Sequence, residues 1–200
     1  MGMGGQKEKV ICRGCGKPHE VEYTGSVNVS ANPELKEKVR SGEMFLWTCP
    51  DCGCVNLLNL PFLYHDPDGK LMILLTQTPL RSENLPDGYT GRLVHSVGEL
   101  VEKINIFDAG LDDVVIEMCK YVTKHELGKD VQLKFFKIDG ADSEMTFTYP
   151  EDGQMQMVET GFKVYEDCAG IVNRNPEMKK AARGLVAVDP DWLSRFFARP

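Results

Sequence analysis

Two short turns hold the residues of this chain whose types and spacing can do chemistry: Cys12-Arg13-Gly14-Cys15-Gly16 and Cys49-Pro50-Asp51-Cys52-Gly53, with 33 residues between Cys15 and Cys49. A Cys-x-x-Cys turn points two thiolates at one spot. The glycine that follows adopts a positive φ, which turns backbone N–H groups toward the sulfurs. One such turn also occurs in redox proteins. Two in one chain, each closed by glycine, fit a tetrahedral four-cysteine metal site of the zinc-ribbon kind. Cys12, Cys15, Cys49 and Cys52 are therefore the expected ligands and Zn2+ the expected cofactor.

The other three cysteines take plainer roles. Cys119, among Val115, Met118 and Val122, and Cys168, beside Ala169, are expected as small buried hydrophobes. Cys54 follows Gly53 directly and could exchange with Cys52 as a ligand, but the regular x-x spacing favours a bystander at the rim of the second knuckle. No Gly-rich phosphate loop, His-Glu-x-x-His or Gly-x-Ser-x-Gly motif is present, and His19, His65, His95 and His125 are scattered. Tyr64-His65-Asp66 is the one polar cluster worth following, and at a strand end before a turn it is read as structural. No catalytic residue is assigned, so the sequence leaves enzymatic activity undecided and leans away from it.

Charge narrows the partners. The 200 residues carry 23 Lys and Arg against 30 Asp and Glu, and a zinc tetrathiolate would add further negative charge. Lys7, Lys9, Arg13 and Lys17 interleave with Glu8, Glu20 and Glu22, so no basic face forms and nucleic-acid binding is disfavoured. Apolar runs are too short to span a membrane. Seven cysteines, an odd number, suit a reducing compartment. A cytoplasmic protein with a protein partner is the expectation.

Several elements must position the knuckles. Residues 1–9 read as a disordered tail. Val21, Tyr23, Val27 and Val29 alternate with polar residues as one strand, with Gly25 as a bulge. Asn32-Pro33-Glu34 starts a helix with Leu35 and Val39 on one face, and Met44 to Thr48 is a strand delivering the second knuckle. Val55 to Leu60 and Phe62 to Tyr64 are strands, and Leu71 to Leu75, lacking polar alternation, is a strand covered on both faces. Pro79 to Gly91 is a surface connection, and Arg92 to His95 a further strand. Ser96 to Glu99 is a capping box opening a helix.

Leu111 to Leu127 then forms an amphipathic helix, with Asp112, Asp113 and Glu117 as dipole complement and solvated face. Three alternating runs, ending at Phe135, Tyr149 and Met157, make a meander. Helices follow from Phe162 to Asn173 and from Asp189, the last anchored in the core by Trp192, Phe196 and Phe197.

From Val10 to Pro79 the succession Cys-x-x-Cys-Gly, Asn-Pro-Glu-Leu-Lys, Gly-Glu-Met-Phe-Leu-Trp-Thr-Cys-Pro-Asp-Cys-Gly and Pro-Phe-Leu-Tyr-His-Asp resembles the CpXC family of prokaryotic proteins. Arg92 to Lys120, with Glu-Leu-Val-Glu-Lys-Ile and Leu-Asp-Asp, is similar to its second half. The resemblance implies that Cys12, Cys15, Cys49 and Cys52 are the family's defining residues and ligate zinc, and it implies no reaction. Arg13 stands where the family usually has Pro, which leaves the first turn less rigid.

These readings add up to an α+β protein. Residues 10–128 form a zinc-ribbon-like domain, its four-cysteine site on antiparallel strands with packed helices. Residues 129–200 form a smaller α/β extension of meander and helices. The expected function is zinc binding at a structural site in a protein-interaction or adaptor module. The alternatives use the same cysteines: a thiol redox protein, or an electron carrier with iron, since the knuckles also resemble those of rubredoxin.

Overall fold

A computed structural model describes residues 5–78, 85–140 and 144–197. Its chain divides into two compact units, Met1–Val101 and Glu102–Pro200.

In the first unit, β1 (Gly5–Ile11) pairs antiparallel with β2 (Pro18–Thr24), from Gly5 opposite Thr24 to Ile11 opposite Pro18. The first knuckle is the turn of this hairpin. Of the expected tail, residues 1–4 lie outside the described residues. Residues 5–9 belong to β1, because the polar sequence Gln6-Lys7-Glu8-Lys9 gains a full ladder of partners on β2. The strand read from Val21 to Val29 is two strands: Gly25 separates β2 from β3 (Ser26–Asn28), and the chain changes sheet there.

The helix α1 (Pro33–Arg40) buries Leu35 and Val39 as expected. Its Asn32 cap makes no side-chain bond to the helix; the Asn32 amide donates to the Asn28 carbonyl at 3.4 Å. After a 3-10 turn at Glu43–Phe45, β4 (Leu46–Thr48) pairs antiparallel with β5 (Val55–Leu57), and the second knuckle is the turn between them. Both knuckles are thus hairpin turns.

β6 (Phe62–Asp66), β7 (Leu71–Leu75) and β8 (Thr90–Val94) complete the unit, in the order β8-β7-β6-β3. β6 and β7 are antiparallel, while β3 with β6 and β7 with β8 run parallel. In β7 Leu71, Ile73 and Leu75 are buried and Met72 and Leu74 half-buried, so both faces are covered, one more completely. The connection expected from Pro79 lies outside the described residues as far as residue 84. The Ser96 half of the capping box holds, Ser96 Oγ accepting from the Glu99 N–H at 3.2 Å, while a Glu99 carboxylate oxygen accepts from the N–H of His95, one residue before the cap, at 2.8 Å. It opens α2 (Val97–Asp108), within which the division between the units falls.

The second unit is built on α3 (Asp113–Leu127), capped by Asp112, which accepts from the Val114 N–H at 2.9 Å, and closed by Gly128 with φ at +66°. β9 (Lys134–Asp139), β10 (Glu144–Glu151) and β11 (Gln154–Gly161) form the antiparallel meander in the order β11-β10-β9. α4 (Phe162–Arg174), α5 (Pro176–Ala181), the short strand β12 (Leu185–Val186) and α6 (Pro190–Ser194) follow. One core joins Val115 and Met118 of α3, Phe135, Met145 and Phe147 of the meander, Cys168 and Val172 of α4, and Trp192. Cys119 and Cys168 are buried there. Of the three terminal aromatics Trp192 is in the core and Phe196 packs against it, whereas Phe197 is exposed and stacks on Tyr121 at 5.1 Å.

Two of the acidic residues expected on a solvated face of α3 are buried instead. Asp113 and Glu117 are 1% and 2% exposed. Asp113 takes the Lys103 ammonium at 2.7 Å, and Glu117 takes that of Lys120 at 2.8 Å. A helical wheel shows where acidic residues fall, but not that lysines wait for them inside the fold. Among the described residues no helix is long and apolar enough to cross a membrane.

Candidate metal centre

The two hairpin turns repeat one hydrogen-bond pattern. The Cys12 N–H donates to the Lys17 carbonyl at 3.0 Å and the Gly16 N–H to the Cys12 carbonyl at 2.9 Å; the Cys49 N–H donates to the Cys54 carbonyl and the Gly53 N–H to the Cys49 carbonyl, both at 2.9 Å. Gly16 and Gly53 have φ of +72° and +71°, a region that L side chains avoid. This equivalence places Cys54 at the position Lys17 holds in the first knuckle, outside the Cys49–Cys52 pair.

The turns bring Cys12, Cys15, Cys49 and Cys52 together, with all four sulfurs within 4.8 Å of one another. Cys12 and Cys52 lie 3.6 Å apart and Cys15 and Cys49 3.8 Å. A tetrahedron with metal–sulfur bonds of about 2.3 Å has edges of about 3.8 Å, so the four thiols are positioned to bind a metal ion. Among the described residues no other group of three or more Cys, His, Asp or Glu converges in this way. Cys54 is not in the group. Its sulfur lies 3.8 Å from the Val55 carbonyl.

Backbone donors prepare the sulfurs for the ionised state. The Cys12 thiol is lowered to about 6, first by the Cys15 N–H, then against burial by the Asn56 amide and the Gly14 N–H. At Cys52 the Cys54 N–H works the same way, but burial and the other three thiols push the group up to about 12. Four crowded sulfurs do not all ionise without a cation between them, and a bound metal would supply that cation. Cys12 and Cys49 are buried, Cys15 is half-buried and Cys52 is exposed, so one side of the cluster meets the surface.

Several supporting residues escaped the reading of the motifs. Asn56 is 5% exposed. It accepts from the Arg13 N–H at 2.8 Å and directs its amide to Cys12 Sγ at 3.5 Å and to the Cys54 carbonyl at 3.0 Å. Asn56 therefore stitches one knuckle to the other. The signal was a single polar residue between Val55 and Leu57, which in a strand faces opposite to both. Arg13, departing from proline, has the N–H that this bond uses.

His19, on β2, sits with Nε2 3.4 Å from Cys49 Sγ and its ring 5.1 Å from that of Trp47. Lys17 and Asp51, one in each knuckle, pair at 2.7 Å, and this ammonium holds the Asp51 carboxyl below its ordinary range. Away from the centre, His65 Nε2 lies 3.3 Å from the Tyr89 hydroxyl, and Asp66 accepts from the Gly69 N–H at 2.9 Å, closing the β6–β7 turn.

Compared with known protein families, the chain matches the one described as "CpXC protein" over residues 10–120. No curated protein and no solved structure matches it.

Proposed function

The chain belongs to the CpXC family, and on that premise we propose that it is a zinc-binding protein whose four-cysteine centre is structural and holds together a protein-interaction module. The observation that carries this reading is the gathering of Cys12, Cys15, Cys49 and Cys52 between two hairpins of two strands each. A two-stranded hairpin is marginal by itself in water. Bound zinc would cross-link the pair and contribute on the order of 10 kcal/mol to folding. Asn56, Lys17 and Asp51 bridge the same knuckles and orient them toward one another.

An interaction role is supported by what the hairpins display. Ile11, Leu46, Val55 and Leu57 are 72, 52, 59 and 40% exposed. Leu46 is opposite Leu57 and Val55 opposite Thr48, so three of these side chains share one face of the β4–β5 ladder. Ile11 and Leu57 line one shallow depression. Clustered exposed aliphatics on a rigid scaffold are the usual mark of a protein contact. With the zinc-loaded chain as bait, the account expects wild type to retain a discrete partner that a Leu46→Lys, Leu57→Lys double variant loses. Equal retention by both would contradict it.

A rubredoxin-like iron centre is the second reading. Sulfur spacing suits iron as well as zinc, and Cys52 at the surface would give electrons a way out. Metal analysis separates the two.

A further inference from the structure

The second unit contains a cleft of about 750 Å³ between the C-terminal half of α3, the segment from Asp130 to Leu133, and α6. That lies in the range of small-molecule sites, about 300–1,000 Å³. Glu117 and Lys120, 2% and 8% exposed, reach it from α3. The Lys120 ammonium donates to Glu117 Oε2 at 2.8 Å and lies 3.0 Å from Glu102 Oε1, which also accepts from the Phe135 N–H at 2.8 Å. Glu117 Oε1 has no hydrogen-bond partner among the described residues.

Two carboxylates thus share one ammonium, leaving one negative charge in excess beneath the cleft. The other charges nearby are already matched. Lys103 pairs with Asp113 at 2.7 Å, and at the rim Lys124 pairs with Asp130 at 2.6 Å. One wall is aromatic: the rings of Tyr121 and Phe197 stack 8° from parallel, with the two residues 41% and 45% exposed. Leu133 and Leu193 supply apolar surface.

We propose that this cleft binds a small organic amine, its ammonium on the free oxygen of Glu117 and its apolar body against Tyr121 and Phe197. The charge excess selects a cation. An anion would have to compete for Lys120 with two carboxylates already in place. Aromatic faces beside a negative floor favour a cation further, because each ring presents negative charge on its face. Burial raises the Glu117 pKa against the pull of Lys120 and Lys103, the behaviour of a carboxyl short of partners. The volume suits one small molecule rather than a folded partner.

The test is a titration of the isotope-labelled full chain with phenethylamine, 2-phenylethanol and phenylacetate, followed by amide NMR shifts. The amine should give saturable shifts along Glu117–Lys124 and residues 130–133, the alcohol should bind about tenfold more weakly or worse, and the acid should not bind. Glu117→Gln and Tyr121→Ala should each weaken the amine about tenfold, whereas Glu126→Gln, exposed on the same helix, should leave it unchanged. If Glu117→Gln does not fold, Tyr121→Ala and the ligand series decide. The proposal is overturned if the amine shows no saturable shifts up to about 10 mM, if alcohol or acid binds as tightly, or if Tyr121→Ala binds as wild type does.

Discussion

Gly14 has no room for a side chain. A Cβ built there would lie 2.6 Å from Cys54 Cβ, 3.0 Å from its sulfur and 3.2 Å from Cys52 Sγ. Gly14→Ala should therefore push the knuckles apart and destabilise the first unit by about 1–3 kcal/mol, lowering its melting temperature and weakening the metal binding proposed there. Because the tightest contact is a β-carbon, adding Cys54→Ala should not relieve the strain, while adding Cys54→Gly should. A melt of Gly14→Ala equal to wild type would contradict this packing.

The convergence of four cysteines was open to the sequence because a Cys-x-x-Cys-Gly turn carries its geometry in its own spacing. Asn56 was not, since its partners Arg13 and Cys12 lie 43 and 44 residues earlier in the chain, and no local pattern marks a residue that bridges two turns.

At the scale of elements, α3 departs most from the sequence reading. Its apolar stripe and its Gly128 stop were legible from the sequence, but Asp112 caps the helix rather than lying in its first turn, and Asp113 and Glu117 form buried ion pairs where a solvated face was expected. Burial alone would lower the Lys120 pKa, but Glu102 and Glu117 more than reverse this and hold it above the ordinary lysine value. A raised folded pKa means that the stabilisation is present in full at neutral pH and is lost only as pH rises through it.

Lys120→Met would leave two buried carboxylates unpaired, at a cost of about 3–5 kcal/mol at neutral pH. The Glu117 pKa, already raised by burial, would then rise further above its unfolded value, so this variant should regain stability as pH falls from about 7 to about 5. Thermal melts across that window check it; a loss of stability on acidification would contradict the assignment. The strand from Val21 to Val29 shows a similar limit. Its alternation was correct on both sides of Gly25, but periodicity cannot show that the chain passes from one sheet to another.

For the whole molecule, the two tryptophans fall one in each unit. Trp47 lies beside the centre, its ring against His19, and Trp192 is in the core of the second unit. Metal withdrawal by a strong chelator, or Cys49→Ser, should unfold the first unit and leave the second intact. In a Trp192→Phe background the Trp47 emission should shift to the red on chelation, and in a Trp47→Phe background the Trp192 emission should hold. A joint loss of both signals would show that the second unit depends on the first.

The central claim is that four cysteines hold zinc, and elemental mass spectrometry of the purified chain, with an absorption spectrum of the same sample, tests it most directly. The account predicts about one zinc per chain and no visible colour. Iron with visible charge-transfer bands, or a folded metal-free chain with four titratable thiols at the knuckles, would contradict it.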